Sequence, residues 1–344
     1  MENMNAKDAF KLGWDYMTGS HGKSKDYGKA VYYYKIAAEQ GEQWAQNNLG
    51  VMYRDGLGVE KNYEEAAKWL RMSADQGNSN AQCSLGCCYE RGWGVVQSYV
   101  DAMKYYRLAA NQGDIIAQNN LGVMYRDGIG VAKNHEEAVQ WFRMAAEQGN
   151  RNAQCSLGVF YERGRAVEQS YGEAAKWYRL SAEQGFVVAQ NNLGVFYERG
   201  YGVKQDYKEA AKLYYAAAKQ GYAPAQSNLG FLYREGKGVA KNYAEAIKLF
   251  RLAAAQGYAK AQTELGYAYA NGQGVQQNYA ESVKWYRLAA AQGEQYAQNN
   301  LGWAYQNGHG VTKDLTEAVK WYRLAAKQGN PNAKANLKNL GYDE

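Results

Sequence analysis

Three histidines and four cysteines are the side chains of this 344-residue sequence best suited to nucleophilic or metal chemistry. The histidines, His21, His135 and His309, lie far from one another in the chain, so no catalytic triad or metal cluster can be assembled from them. Cys83 and Cys87 share a helix face at four-residue spacing, but no further histidine or cysteine completes a zinc site. The sequence therefore predicts no catalytic residues, no metal site and no bound cofactor.

Carboxylates recur at a fixed distance of three residues after an Asn, Asp or Ser. The pairs are Asn62 with Glu65, Asn134 with Glu137, Ser170 with Glu173, Asp206 with Glu209, Asn242 with Glu245, Asn278 with Glu281 and Asp314 with Glu317. This spacing is typical of a capping box, in which both side chains satisfy backbone N–H groups at the start of a helix. We therefore interpret these carboxylates as helix caps rather than catalytic acids.

Glycine pairs of the form G-x-G, such as Gly56 and Gly58, precede each of these caps, except where Arg165-Ala166 breaks the pattern. A phosphate-binding loop would need a preceding strand and a different glycine context. Glycine also gives the backbone the freedom that a tight reversal requires. The pairs are therefore predicted to be turn residues.

One repeating unit of 36 residues contains all of these patterns. A Leu-Gly pair recurs at that interval, and the leucines of the eight pairs are Leu49, Leu85, Leu121, Leu157, Leu193, Leu229, Leu265 and Leu301. Two apolar stripes with helical spacing flank each turn, for example Ala45, Leu49, Met52 and Tyr53, then Ala66, Trp69, Leu70, Ser73 and Ala74. We expect Trp69 and its counterparts Trp141, Trp177, Trp285 and Trp321 to fill the space between helical hairpins.

The repeat predicts an all-α protein, a solenoid of about nine helical hairpins plus a capping helix, forming a single domain over residues 1–344. Residues 1–41 are predicted to form an N-terminal capping repeat and residues 42–329 eight repeats of 36 residues. Residues 330–344 are predicted to form a C-terminal cap, because Lys334, Lys338 and Asn339 are polar where an interior repeat would be apolar.

The repeated motif resembles the Sel1-like repeat family, which is related to tetratricopeptide repeats, and the resemblance covers nearly the whole chain. The resemblance implies a right-handed superhelix of antiparallel helix pairs that acts as an adaptor or scaffold in multiprotein assemblies. Some secreted bacterial relatives carry a disulfide in each repeat. This sequence has only Cys83, Cys87, Cys88 and Cys155, and we expect reduced thiols in a reducing compartment.

Composition narrows the class of protein further. Apolar residues make up 46% of the chain, but no apolar run approaches the length of about 18 residues that a membrane span needs, so we expect no membrane insertion. The first residues are charged rather than apolar, which predicts no signal peptide and a cytoplasmic location. The net charge of +6 comes from Lys and Arg interleaved with Glu and Asp, and this pattern is typical of solvated helix faces rather than of nucleic-acid binding.

A candidate binding surface emerges from the positions of the first helix that do not serve the core. By analogy with tetratricopeptide repeats, these positions line a concave face. The seventh position of the repeat changes from small to aromatic along the chain, reading Val51, Cys87, Val123, Val159, Val195, Phe231, Tyr267 and Trp303. The charged pair that ends each first helix, as in Arg234-Glu235, becomes Ala270-Asn271 and Gln306-Asn307.

We predict that the partner-binding residues on this face are Phe231, Tyr267, Trp303, Tyr296, Asn271, Asn307 and Arg234, because desolvated aromatic rings dominate binding energy at interfaces. The alternative is that these rings are buried as additional core. The predicted function is that of a scaffold or adaptor that binds a protein or an extended peptide. Two alternatives remain open, namely a glycan- or peptidoglycan-binding or envelope-associated module, and an inhibitor or immunity protein that occludes a toxin.

Overall fold

The computed structural model describes residues 4–342, and this part of the chain consists of α-helices and connecting turns. The helices form two compact units, one ending at Ser170 and the other beginning at Tyr171. Unit 1 contains α1 (Ala6–Thr18), α2 (Tyr27–Glu39), α3 (Gln43–Asp55), α4 (Tyr63–Asp75), α5 (Ser79–Arg91), α6 (Tyr99–Asn111), α7 (Ile115–Asp127), α8 (His135–Glu147) and α9 (Arg151–Arg163). Unit 2 contains α10 (Tyr171–Glu183), α11 (Val187–Arg199), α12 (Tyr207–Lys219), α13 (Ala223–Glu235), α14 (Tyr243–Ala255), α15 (Ala259–Asn271), α16 (Tyr279–Ala291), α17 (Gln295–Asn307), α18 (Leu315–Lys327) and α19 (Pro331–Asn339).

Within each unit, helices pair into hairpins that stack in chain order, so the predicted all-α repeat solenoid is confirmed. Within a unit, each helix packs mainly against the other helix of its hairpin, and the second helix of a hairpin also packs against the first helix of the next. The first helices of neighbouring hairpins also touch, as α3 and α5 do in unit 1 and α15 and α17 do in unit 2. No helix in residues 4–342 is long and apolar enough to cross a membrane.

The second helix of a hairpin begins at a side-chain cap, as the sequence predicts. The Oδ1 atom of Asn62 accepts hydrogen bonds from the backbone N–H groups of Glu64 and Glu65, both at 3.0 Å. Glu65 does not make the backbone hydrogen bond that the glutamate of a capping box makes. Its carboxylate instead accepts from Trp69 Nε1 at 3.1 Å and from Lys68 Nζ at 3.4 Å. The capping role is therefore confirmed for Asn62, whereas Glu65 stabilises the outer surface of its own helix.

The two glycines of the turn have separate roles. Gly56 ends α3 in the left-handed conformation, with φ at 73°, and its N–H donates to the carbonyl of Met52 at 2.8 Å. Gly58 also has a positive φ, and a Cβ atom there would lie 2.3 Å from the carbonyl carbon of Tyr27. The turn of one hairpin thus rests on the start of the second helix of the preceding hairpin, and only glycine leaves room for that contact.

The glycine of the Leu-Gly pair allows the two helices of one hairpin to approach closely. Leu49 is fully buried, and a Cβ atom on Gly50 would lie 2.7 Å from Leu70 Cγ and 3.1 Å from the carbonyl oxygen of Ala66. Aromatic rings replace Leu70 in later hairpins, where Tyr106, Phe142, Tyr214, Phe250, Tyr286 and Tyr322 lie against the corresponding glycines.

The tryptophans, which are predicted to fill the space between hairpins, lie at the edge of the core. Trp69 is 7% exposed, and Trp141, Trp177, Trp285 and Trp321 are half-buried. The residue that follows each of them in the chain is almost fully enclosed, and four of these residues, Leu70, Phe142, Tyr286 and Tyr322, face the glycine of the Leu-Gly pair. Trp321 packs against the apolar cluster around Val283 and Tyr286, so it does connect neighbouring hairpins.

Two series of side-chain hydrogen bonds stabilise the stack. In the first series, a glutamine of a first helix bonds to a backbone carbonyl of the preceding hairpin and to a second glutamine at the end of its own hairpin. Gln118 donates to the carbonyl of Ala110 at 3.2 Å and accepts from Gln148 Nε2 at 2.7 Å, and the same bonds join Gln46 with Gln76 and Gln262 with Gln292. Arginine and tyrosine form the second series. Arg71 donates to the hydroxyl of Tyr89 at 2.8 Å, and Arg251 and Arg287 bond in the same way to Tyr269 and Tyr305. The recurring Gln, Arg and Tyr of the repeat therefore hold the stack together.

Candidate functional site

The seven predicted site residues lie on three first helices of unit 2. Phe231 and Arg234 are on α13, Tyr267 and Asn271 on α15, and Tyr296, Trp303 and Asn307 on α17. Large parts of three rings reach solvent, since Tyr267 is 40% exposed, Trp303 42% and Tyr296 53%. Phe231 is half-buried and packs against the cluster around Leu229 and Leu232.

Arg234 fills the groove between α13 and α15. Its guanidinium carbon lies 4.9 Å from the ring centroid of Phe231 and 5.5 Å from that of Tyr267. The same group donates to Glu235 Oε1 at 2.8 Å and pairs with Glu264, which leaves only 16% of the arginine side chain exposed. The site residues Phe231 and Arg234 are thus engaged with each other, and the guanidinium lies between two aromatic rings.

The next groove, between α15 and α17, contains a cavity of about 310 Å³. Ala270 stands here at the position that Arg234 takes one repeat earlier, so no long side chain fills the space. Ala304 enlarges the cavity further, because larger residues such as Phe196 and Leu232 take its place in preceding first helices. The lining residues are Tyr267, Ala270, Asn271, Gln277, Tyr279, Ser282, Tyr286, Asn299, Asn300, Trp303, Ala304 and His309.

His309 forms one wall of this cavity, although it is not among the predicted site residues. Its ring stacks on Tyr279 at 4.4 Å between centroids and meets Trp303 edge-on at 4.6 Å. Its Nδ1 atom is shielded from solvent and has no hydrogen-bond partner in the described part of the chain. A signal did exist, because a turn aromatic 30 residues after a helix-initial tyrosine recurs in the stacked pairs Tyr63 with Trp93 and Tyr171 with Tyr201.

Carboxamides supply most of the polar groups of the cavity. Gln277 Nε2 donates to the carbonyl of Ala270 at 2.7 Å and to the hydroxyl of Tyr279 at 3.1 Å. Asn271 Nδ2 donates to the carbonyl of Tyr267 at 2.8 Å, and Asn307 makes the same bond to Trp303. These bonds hold Asn271 and Asn307 against their own helices and fix the orientation of both carboxamides.

The electrostatic character of the cavity is neutral. No Asp, Glu, Lys or Arg is among its lining residues, as far as the structure describes the chain. Burial raises the pKa of the Tyr286 hydroxyl, which therefore stays protonated and lies beside Ser282 and Asn300. Outside the cavity, burial raises the pKa of Glu264, although the neighbouring Arg234 opposes this rise.

Side chains that could perform redox or metal chemistry lie elsewhere. The four cysteines are all in unit 1 and form no disulfide, and burial raises the pKa of Cys88 to about 11 and that of Cys155 to about 12. Such thiols react slowly, because the thiolate is the reactive form. Within residues 4–342, no group of three or more His, Cys, Asp or Glu side chains could hold a metal ion.

Comparisons with known proteins agree with this architecture. The family model described as Sel1 repeat matches nine segments, residues 6–42, 45–78, 79–114, 115–150, 151–186, 187–222, 223–258, 259–294 and 295–330. The crystal structure of a protective antigen present in uropathogenic Escherichia coli strains, displaying an SLR fold, has a TM-score of 0.87 and 40% sequence identity, covering 98% of this chain and 73% of that one. A Sel1 repeat protein from Oxalobacter formigenes has a TM-score of 0.64 and 34% identity, covering 72% of this chain and 96% of that one. No curated protein matches the chain.

Proposed function

Because this chain belongs to the Sel1 repeat family, whose members generally act as protein-interaction scaffolds, we propose that its first helices in unit 2 bind an extended segment of a protein partner. Tyr267 and Trp303 serve as the anchors, and Phe231, Tyr296, Asn271, Asn307 and Arg234 complete the surface. The protein performs no catalysis itself, and it acts in a reducing compartment such as the cytoplasm.

The observation that carries this proposal is the pair of half-exposed rings beside the cavity. Tyr267 and Trp303 each leave about two fifths of their surface in solvent. Rings that can be desolvated in a pocket typically contribute most of the binding energy at a protein interface. Both rings are also held in place, since Trp303 contacts His309 and Tyr267 contacts Arg234, so little conformational entropy is lost on binding.

Charge supports a protein partner rather than a nucleic acid. Lysines of the second helices pair with glutamates three residues earlier, as Lys212 does with Glu209 and Lys320 with Glu317. Arg54 and Arg126 pair with the aspartates that follow them. Neutralised cations of this kind contribute little to phosphate binding, which depends on the release of counterions by unpaired basic groups.

Partner capture with a matched pair of variants tests the proposal. The first variant carries Phe231→Ala, Tyr267→Ala and Trp303→Ala. The control carries Trp14→Ala, Tyr32→Ala and Trp44→Ala, which removes three rings of unit 1 that are 49%, 56% and 45% exposed. Both variants are first checked for unchanged helicity by circular dichroism.

We expect at least one protein from a host lysate to bind wild type and the control but not the first variant, as identified by mass spectrometry. Hydrogen exchange with that purified protein should then show protection over α13, α15 and α17. Equal capture by all three proteins, or protection confined to unit 1, would reject this surface as the binding site.

A further inference from the structure

One position of the repeat shows what kind of group belongs in the cavity. It lies two residues before the glycine that ends each first helix; α1 has Met17 there, and from α3 onward the position reads Arg54, Glu90, Arg126, Glu162, Glu198, Arg234, Ala270 and Gln306. In three hairpins where this residue is acidic or an amide, its side-chain oxygen accepts a hydrogen bond from the buried tyrosine of the same hairpin. Tyr106 donates to Glu90 at 2.6 Å, Tyr214 to Glu198 at 2.7 Å and Tyr322 to Gln306 at 2.7 Å.

Arginine takes the position where the buried residue has no hydroxyl group. Leu70, Phe142 and Phe250 occupy the tyrosine position in the hairpins that contain Arg54, Arg126 and Arg234. Each of these arginines pairs with the acid that follows it in the chain. In these six hairpins the position therefore carries either an oxygen acceptor for a tyrosine or a cation with its own acid, whereas the first hairpin has Met17 there and the hydroxyl of its buried Tyr34 has no hydrogen-bond partner among the described residues.

The hairpin of α15 and α16 departs from both patterns. Its buried residue is Tyr286, but the position that should supply an oxygen acceptor is Ala270. Tyr286 and Ala270 both line the cavity, so the cavity occupies the space of the missing side chain. The departure creates a phenol that a group from outside the chain can reach through the opening between Tyr267 and Trp303.

The charged neighbours of the preceding groove are replaced here as well. Asn271 stands at the position of Glu235, and Asn300 at the position of Glu264, the two acids that pair with Arg234. A cation in the cavity would lack these acids, and a carboxylate would lack a basic partner. The groups that remain are carboxamides and hydroxyls, which both donate and accept hydrogen bonds.

We propose that this cavity receives a glutamine side chain of the partner segment. The carbonyl oxygen of that side chain accepts from the Tyr286 hydroxyl, as the oxygen of Gln306 accepts from Tyr322 one repeat later. Its planar amide lies between the rings of Tyr267 and Trp303, as the guanidinium of Arg234 lies between Phe231 and Tyr267. This inference rests on the proposed function and specifies the recognition chemistry of the same surface.

Carboxamide recognition already occurs repeatedly inside this molecule. Gln76 donates to Gln46, and Gln292 to Gln262, at 2.7 and 2.8 Å. Asn336 donates in the same way to Asn299, one of the lining residues, at 3.1 Å. The cavity therefore offers an outside glutamine the kinds of partner that the repeat uses for its own.

Blocked tripeptides test this inference without knowledge of the partner. Acetyl-Ala-Gln-Ala-amide, and the same peptide with Glu or Met in place of Gln, are titrated into ¹⁵N-labelled full-length protein. The reporter is the indole N–H signal of Trp303, assigned with Trp303→Phe, and the indole signal of Trp69 in unit 1 is the internal reference. Maltose is titrated in parallel as a neutral saccharide.

We expect the Gln peptide to shift the Trp303 signal saturably in the millimolar range, with an affinity at least threefold higher than that of the Glu and Met peptides. Ala270→Gln should weaken this binding at least tenfold, because the new side chain fills the cavity and accepts from Tyr286 itself. The matched control is Ala291→Gln, at an exposed position near the end of α16, which should leave the affinity unchanged.

Several results would overturn the inference. These are equal affinities for the three peptides, unchanged binding by Ala270→Gln, and saturable binding of maltose with no response to the Gln peptide. The effect of Ala270→Gln on partner capture separates the two proposals. If partner capture is lost on substitution of Tyr267 and Trp303 but unchanged by Ala270→Gln, the proposed surface is correct and the proposed glutamine ligand is wrong. If capture is unchanged by substitutions at all three positions, both proposals are rejected.

Discussion

At the scale of single residues, the turn between α9 and α10 shows what happens when a turn position of the repeat lacks its usual glycine. Ala166 adopts a φ of 55°, although glycine occupies the equivalent position in other turns. A side chain in this left-handed region costs about 1–2 kcal/mol. The helix start that meets this turn position in other hairpins is also altered, since His135 replaces the usual tyrosine. The two departures from the consensus therefore occur together.

Ala166→Gly is expected to stabilise the protein by about 1 kcal/mol, because glycine relieves the left-handed strain at a smaller entropic cost. Urea unfolding followed by circular dichroism measures the change. Gly130→Ala is the matched reverse substitution in unit 1. It should destabilise by about 3 kcal/mol, because its Cβ would lie 2.7 Å from Tyr99 Cβ at a φ of 70°. A loss of stability in Ala166→Gly would contradict this account.

Buried acidic groups make stability depend on alkaline pH. Burial raises the pKa of Cys88 from 9.0 to about 11, that of Cys155 from 9.0 to about 12 and that of Tyr34 from 10.0 to about 12. The unfolded chain loses these protons first, so the free energy of unfolding falls as the pH rises from about 9 towards 12. We expect Tm to fall steadily between pH 8 and 10.5 under reducing conditions. Cys155→Ala should make the decline shallower, and a Tm that rises over this range would refute the prediction.

At the scale of elements, cross-hairpin hydrogen bonds explain why the repeat keeps its glutamines. Gln118 is 1% exposed and bonds to Ala110 of α6 and to Gln148, which follows α8. One carboxamide thus connects three helices. Truncation of Gln118 removes both bonds and leaves a cavity where its buried carboxamide packed, although the carbonyl of Ala110 still accepts from the N–H group of Gly113 at 3.0 Å.

Gln118→Ala is therefore expected to lower the free energy of unfolding by about 2–3 kcal/mol. Gln148→Ala serves as the comparison, since its side chain is exposed and water can replace it, and it should cost about 1 kcal/mol or less. Thermal and urea unfolding of both variants provide the values. Equal losses would show that the bond between the two glutamines, rather than the burial of the Gln118 side chain, determines the effect.

The sequence predicts the helices and turns of this fold well, because Leu49, Gly56 and Asn62 each have a local role that recurs every 36 residues. Contacts between hairpins are harder to predict. Two examples depend on how the helices of neighbouring hairpins are oriented. One is that Tyr106 is buried more deeply than the preceding residue, which occupies the tryptophan position, and the other is the bond from Arg71 to Tyr89. The cavity could have been suspected from Ala270 alone. The stacking of His309 on Tyr279 could have been suspected from their 30-residue spacing, but its contact with Trp303 could not, because that contact depends on how the helices are oriented.

At the scale of the whole molecule, stability is the sum of many similar contacts between neighbours. In each unit, the main contacts of a helix are with its neighbours in the chain. Repeat proteins built in this way open locally around a weakened hairpin. A destabilising substitution in the core should therefore increase local opening of the neighbouring helices rather than of the whole unit.

Leu121→Ala tests this in unit 1. Leu121 is fully buried in α7, and its truncation should cost about 3 kcal/mol. Hydrogen exchange should become faster in α6, α7 and α8, with α1 and α2 nearly unchanged. Faster exchange throughout unit 1 would show instead that the unit unfolds as one cooperative body.

The fixed spacing of these side-chain bonds has a genetic consequence. Glutamines pair across 30 residues within a hairpin, and arginines reach tyrosines 18 residues later in the next hairpin, in the same phase of the 36-residue unit. Unequal recombination between two copies removes or adds one whole unit, and the glutamines, arginines and tyrosines at the new junction then meet partners of the same type. Hairpin number is thus a trait that can change in single steps during evolution, with no intermediate that exposes a core.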